Sequence, residues 1–450
     1  MTRQRENWRK ATVELCLLFF ILILIEGVMR KWLLNPIQAP LVLLRDPILF
    51  LIYVQYCFYK NWKLSRILTT LGFLVLYMFL LTIFFETSYL EFGANVYLIG
   101  LRNYLFFVPL IFVIPNVFTR EDVNRFIVLF LYLTIPSGLA AVLQFYSPVD
   151  SFINKGIDDN PEFVFQVVTG VVRPYGLFTF SQAQATYAAL SLTMALIALE
   201  RRSELKMNTP LFAASLVAIG SMGVLSGSRT YFLAAGMIFI SYAIASVTSS
   251  RPIVAAQRGL IVIGAVTALS VLMIFVFPQA LETMTERQVN AERDEGSTLI
   301  RAVSMATEVA TVFDDTPFFG RGIGFGTNAG AYLATGSLDF NLAEYEFTRI
   351  VQECGPFLGL IVISMRVALA IWLGILAIRA NLRNGDAAPL LIFGYIAPLL
   401  FIGQISGQNT LVSLAWFTVG IAFALEKTKM TSQNIVLKPT KLMTRNVSSS

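Results

Sequence analysis

Apolar runs of about twenty residues recur along the whole chain, each long enough for a helix to cross hydrocarbon roughly 30 Å thick. Twelve runs predict spans over about 12–29, 40–58, 67–85, 97–115, 124–144, 183–199, 209–226, 229–248, 259–277, 355–378, 388–406 and 409–425. Two polar stretches interrupt them. Residues 146–182 carry Pro148, Pro161 and Pro174 and read as a small loop. Residues from about 279 to 354 form a larger one, in which Leu299, Ile300, Val303, Val309, Ala310 and Phe313 recur at helical spacing and predict an amphipathic helix. The fold class is therefore all-α: a polytopic membrane helix bundle of about 12 transmembrane helices, with a large, partly helical external loop between helices 9 and 10. Residues 1–425 make one transmembrane domain with the loop inserted, and 426–450 read as a polar cytoplasmic tail expected to be disordered.

Composition agrees with the pattern. Of 450 residues, 56% are hydrophobic and 14% charged, against about 25% charged in soluble domains. Basic residues gather in alternate connections: Arg3 to Lys10, Lys60 to Arg66, Arg120 and Arg125, Arg201 to Lys206, Arg251 and Arg258, Arg379 and Arg383, and the tail. This predicts both termini in the cytoplasm. The first run follows a basic segment but lacks a small-residue cleavage site, so it reads as a retained helix. A net charge of +6 distributed in this way belongs to membrane orientation and predicts no nucleic-acid partner. Histidine is absent, which removes imidazole ligands and any His base. Three cysteines imply no disulfide framework.

Candidate chemistry starts from arginines on the side that the orientation rule should deplete: Arg102, Arg173, Arg229, Arg287, Arg293, Arg301, Arg321 and Arg349. A planar guanidinium donates two parallel hydrogen bonds to phosphate, and a lipid-linked pyrophosphate would sit at this depth. The same arginines could snorkel to headgroups or pair with loop carboxylates. Arg366 falls near mid-bilayer and is expected to face the bundle interior, whereas Glu26, Arg45 and Asp46 lie near the outer interface, with neighbours Arg45 and Asp46 suiting a structural pair. The alternate glycines of Gly320-Arg321-Gly322-Ile323-Gly324-Phe325-Gly326 let the backbone turn tightly and approach either the bundle or a ligand; no Lys-Ser/Thr follows, so a nucleotide loop is not implied. Asp314-Asp315 reads as a metal pair or as a helix stop. Glu346, Arg349 and Glu353 share one helical face, as salt-bridge support would, and Glu344 falls outside that pattern, suited either to capping a helix or to removing a proton from a sugar hydroxyl.

Four stretches carry a likeness to the O-antigen ligase and O-antigen polymerase superfamily of bacterial envelope glycosyltransferases. Gly100-Leu101-Arg102-Asn103-Tyr104 resembles the family's arginine at the mouth of an early helix. Arg173-Pro174-Tyr175-Gly176-Leu177-Phe178 is similar to its Arg-x-x-Gly-x-Phe motif, and Ser226-Gly227-Ser228-Arg229-Thr230 to its Ser-Arg motif. Pro317 to Gly324, followed by Glu353-Cys354-Gly355-Pro356-Phe357-Leu358-Gly359, resembles the bracket around its active-site segment. In ligases of this kind a histidine stands nine residues before that glutamate; here the same step back from Glu353 reaches Glu344.

The resemblance implies a glycosyltransferase in the bacterial inner membrane, active on its external face, that polymerises polyprenyl-pyrophosphate-linked oligosaccharide into a surface polysaccharide, an O-antigen or exopolysaccharide. Arg173 and Arg229 would be catalytic with Glu344; Arg102, Arg301, Arg321, Arg349 and Tyr345 would bind pyrophosphate or sugar, and Tyr332 would offer an aromatic face. No metal or other cofactor is expected, and the partners would be membrane lipids, the lipid-linked glycan and chain-length or export proteins. The alternatives are a ligase that transfers the glycan to a lipid or protein, and a flippase that moves it without chemistry.

Overall fold

The computed structural model describes residues 3–59, 94–157, 164–168, 170–249, 252–283, 285–286, 308–336, 343 and 345–436. Among these the chain is almost entirely helical. The helices are α1 (Arg3–Val28), α2 (Asp46–Tyr59), α3 (Ala94–Leu101), α4 (Leu110–Val117), α5 (Arg120–Tyr146), α6 (Ser181–Glu200), α7 (Thr209–Leu225), α8 (Arg229–Val247), α9 (Pro252–Val271), α10 (Asn328–Thr335), α11 (Glu346–Cys354), α12 (Pro356–Asn384), α13 (Ala388–Ile402) and α14 (Asn409–Val436). Among the described residues, eight helical stretches are long and apolar enough to cross a membrane: Arg3–Leu33, Asn35–Phe58, Ala94–Val117, Arg120–Tyr146, Ser181–Glu200, Arg229–Val247, Pro356–Asn384 and Asn409–Lys427. Thr209–Leu225, Ile253–Ala268 and Ala388–Ile402 are apolar but shorter. The run expected at 67–85 lies outside the described residues.

Sequence explains which helices sit inside. In α6 almost every residue is buried, and its small side chains, among them Ala185, Ala188, Ala189 and Ser191, let neighbours approach closely. By contrast α12 is strongly apolar yet exposes Phe357, Leu360, Ile371 and Trp372, the surface that lipid would cover. The main core joins α1, α4, α5, α6, α8, α13 and α14 through Phe19, Phe20, Phe126, Phe130, Tyr187 and Phe417. Thr119 caps α5 reciprocally with Asp122, which fixes where that helix begins.

Ion pairs between helices sort the chain into two ends. At one end Arg9 meets Asp122 at 2.5 Å, Arg120 meets Glu204 at 2.6 Å, Arg201 meets Asp386 at 3.0 Å and Arg258 meets Glu200 at 2.6 Å. The opposite end holds Arg45 with Glu26 at 2.7 Å and Arg102 with Asp46 at 2.5 Å.

Several expectations change in detail. Arg45 and Asp46 are not each other's partners, because successive residues point to different sides of their helical turn and each meets a different chain neighbour. Residues 146–182 contain a two-stranded antiparallel hairpin, β1 (Gln166–Val168) and β2 (Val171–Val172), turning at Gly170. The last helix continues to Val436, past the end expected near 425, and 437–450 lie outside the described residues. Of the amphipathic helix expected in the long loop, 308–311 are helical and 299–307 lie outside the described residues.

Candidate functional site

At the end that holds Arg45 and Arg102 lies a cavity of about 470 Å³. Its walls come from the π-helical turn after α1, from the turn before α2, from α3 and the turn after it, from Ile157, from the stretch leading into α6, from α10 and from residues 407–410 at the entry to α14. Arg102 opens a π-helical turn, Arg102–Phe106, whose extra residue re-aims the side chain across the helix. Most of the lining is apolar, including Leu43, Leu98, Ile99 and Phe180, and it is interrupted by Arg30, Arg102 and the amides of Gln38, Asn95, Asn103, Asn328, Gln408 and Asn409. Tyr332 stands on the α10 wall, 43% exposed.

A buried charge cluster borders this cavity. Glu26 forms an ion pair with Arg45 at 2.7 Å and accepts from Arg30 and from Asn409 Nδ2, at 3.2 Å each. Arg102 donates to both oxygens of Asp46, at 2.5 and 2.7 Å, and to Asn409 Oδ1 at 2.5 Å. Three guanidiniums thus face two carboxylates, and one positive charge is left over. Nearby, fully buried Lys31 donates to the Gly176 carbonyl at 2.7 Å and lies over the rings of Trp32 and Tyr175. That contact pins the segment carrying Arg173.

A second cluster sits deeper, where α11, α12 and the loop before α14 meet. Glu346 pairs with Arg349 and with Arg366, the latter at 2.8 Å, and accepts from the Ser406 amide and hydroxyl at 2.8 Å each. Arg366 also donates to the carbonyls of Leu399 and Gly403, at 2.9 and 3.0 Å. It faces the bundle interior, as expected. Glu353 accepts from Tyr104 at 2.5 Å and from the Gly326 amide at 2.7 Å. Burial works to raise the Glu346 carboxyl, but Arg349, Arg366 and Ser406 outweigh it and hold the group below its ordinary range. For Glu353 burial prevails over Arg349 and Tyr104, and the carboxyl lies above its ordinary range.

The glycine-rich segment serves this second cluster. Gly320 and Gly324 have φ of +82° and +92°, and a Cβ on Gly324 would meet the Val96 carbonyl oxygen at 2.3 Å. Of the two partners left open by the sequence, the one that the backbone approaches here is the bundle.

The sequence-predicted residues are thus distributed over several environments. Arg102 lines the cavity and is held by Asp46. Arg173 is buried, its Nε donating to the Ser226 carbonyl at 3.3 Å, which brings it to the turn that leads to Arg229 at the start of α8. Arg229 is half-buried; neither it nor Arg173 is among the cavity lining. Arg321 is exposed, its backbone amide bonded to the Gln352 carbonyl. Arg349 has no exposed surface, binds Glu346, Ser406 and Gly326, and lies behind Gly407, without itself lining the cavity. Tyr345 is half-buried and precedes α11. Asp314 and Asp315 are exposed on a turn. Glu344 and Arg301 lie outside the described residues. Sequence reasoning passed over Arg30, Lys31, Gln408 and Asn409; the available signal was Glu26, whose intramembrane charge demands a partner one helical turn away. No protein-family model and no curated protein matches the chain.

Proposed function

We propose that the protein is a metal-independent glycosyltransferase of the O-antigen polymerase and ligase kind, which extends a surface polysaccharide from polyprenyl-pyrophosphate-linked repeat units at the external face of the inner membrane. In this reading the three shorter apolar helices and residues 67–85 also cross, giving twelve spans with both termini cytoplasmic, and the cavity end is external. The observation that carries it is the amphipathic cavity itself, which joins a polar, net-positive pole to apolar walls at one end of a membrane bundle. A substrate with a sugar head and a prenyl tail has the matching division.

Arg173 and Arg229, which approach the same turn, hold the diphosphate and stabilise the charge that develops on it. Glu344 takes the proton from the acceptor hydroxyl as its oxygen attacks the anomeric carbon. The bond from that carbon to the phosphate oxygen breaks, and the lipid pyrophosphate leaves with the electron pair. One displacement gives inversion. The test is to supply purified protein with a lipid-linked repeat unit: longer lipid-linked chains support polymerisation, a conjugate to a different acceptor supports ligation, and the absence of any covalent product supports transport and overturns the enzymatic reading.

A further inference from the structure

Lys31 lies in the apolar Arg3–Leu33 stretch and has no exposed surface. An ionisable side chain so placed is costly, and a methionine would fill most of its space without burying a nitrogen. Nor does the carbonyl that it meets depend on it. The Gly176 oxygen already accepts from Gln144 Nε2 at 3.1 Å, and Lys31 Nζ is a second donor to the same atom at 2.7 Å. Among the described residues no carboxylate pairs with Lys31; the rings of Trp32 and Tyr175 lie beneath its ammonium, their centroids at 4.2 and 4.3 Å.

What Lys31 touches is the segment that carries Arg173. The amides of Tyr175 and Gly176 donate to Gln144 Oε1 at 3.0 and 2.7 Å, and the Tyr175 hydroxyl donates to the Asn154 carbonyl. The Arg173 amide donates to the Phe165 carbonyl at 2.8 Å, and α1 packs so closely that a Cβ on Gly27 would collide with the Leu177 carbonyl oxygen. Residues 173–178 are thus held from α1 on one side and from α5 on the other. The polar hold on the α1 side comes from the π-helical turn Met29–Leu33, in which Arg30 lines the cavity and the next residue, Lys31, reaches Gly176. Adjacent side chains on a helical turn point apart, so this turn stands between the cavity and the Arg173 segment and sets their separation. Such turns are rare and recur at functional sites. A substrate that lies in the cavity and is gripped at its diphosphate by Arg173 depends on that separation directly.

We infer that Lys31 is a positioning residue for Arg173: without lining the cavity itself, it acts through Gly176 to fix the guanidinium at the distance from the cavity that the diphosphate requires. This rests on Arg173 as a diphosphate-holding residue and deepens that reading.

The test uses the full chain in phosphatidylcholine nanodiscs, with Lys31→Met as the variant and a lipid-linked repeat unit as substrate. Turnover should fall about 10²-fold, the size that a displacement of about 1 Å costs, with KM nearly unchanged because the cavity is intact. In an Arg173→Ala background the same change should cost no more than about threefold, since residues that act as a unit do not add. Hydrogen exchange of the 173–178 amides should quicken about tenfold in Lys31→Met, with exchange in α12 unchanged. Equal losses in both backgrounds, unchanged exchange at 173–178, or a raised KM at constant kcat overturns the inference. If Lys31→Met does not fold, Lys31→Gln, whose shorter chain falls short of the carbonyl, takes its place; failure of both to fold also overturns it, because Lys31 then serves stability alone. Absence of transfer by the unmodified chain, with faster exchange in the variant, sinks the enzymatic reading and leaves the hold of Lys31 on the segment standing.

Discussion

The two charge clusters at the cavity end meet at the entry to α14, through its first residue Asn409 in one and Ser406 just before it in the other, yet their charges differ. Around Glu346 and Glu353, two guanidiniums face two carboxylates, and hydroxyls and backbone groups complete the carboxylate oxygens. Around Glu26 and Asp46, three guanidiniums face two carboxylates, and neighbouring amides carry unpaired oxygens beside a cavity. Buried ion pairs are weak evidence for stability, since desolvation offsets most of the attraction. Charge balance and place are the informative differences. The balanced cluster joins helices inside the bundle, while the other keeps one guanidinium in excess beside a cavity.

The largest expected effect breaks the closed side. Arg366→Leu leaves Glu346 without its 2.8 Å partner deep in the bundle and should cost about 3–5 kcal/mol, read as lost folded yield and a lower unfolding midpoint. Turnover per folded molecule should change little, because Arg366 is not among the residues that line the cavity. Arg229→Lys should do the reverse. Charge remains but the two-pronged geometry is lost, and turnover should fall about 10²-fold at nearly unchanged stability, the size expected for one misplaced charge-stabilising donor.

Smaller effects sharpen the contrast. Gly324→Ala puts a Cβ 2.3 Å from the Val96 carbonyl oxygen at a φ of +92° and should destabilise by about 1–3 kcal/mol, measured by denaturant unfolding. The smallest effect is in pH dependence. Because Glu346 titrates below its unfolded value of about 4.3, its contribution is complete above that pH and is lost as pH falls through the folded value. Glu353 has the opposite sign: its raised value makes stability decline as pH rises from about 4.3 towards the folded value. Melting curves between those limits should lose the acid-side slope in Glu346→Gln and the declining slope in Glu353→Gln.

Legibility followed the physics of each element. Apolar runs long enough to span hydrocarbon announce helices without tertiary information, which is why α1, α5 and α12 fall where hydropathy places them. Helix-spaced charge was legible too: Glu346 and Arg349 pair as their separation of three predicts. Pairings across the fold were not. Arg102 with Asp46, Arg366 with Glu346 and Lys31 with Gly176 each join residues far apart in sequence, and nothing local specifies which carboxylate or carbonyl a buried cation will meet. The hairpin at Gln166–Val172 was masked by its proline-rich surroundings, because two short strands lack the alternation that announces longer ones. Gln408 and Asn328 carry no charge to mark them, so their place on the cavity wall emerges only from the fold.

The most direct measurement is a cryo-EM map of the full chain in nanodiscs with a non-hydrolysable analogue of a polyprenyl-pyrophosphate oligosaccharide. The account predicts analogue density in the cavity, with the diphosphate within hydrogen-bond reach of Arg173 and Arg229. A diphosphate bound at the end held by Arg258 and Glu200, or an empty cavity beside a bound analogue, would contradict it.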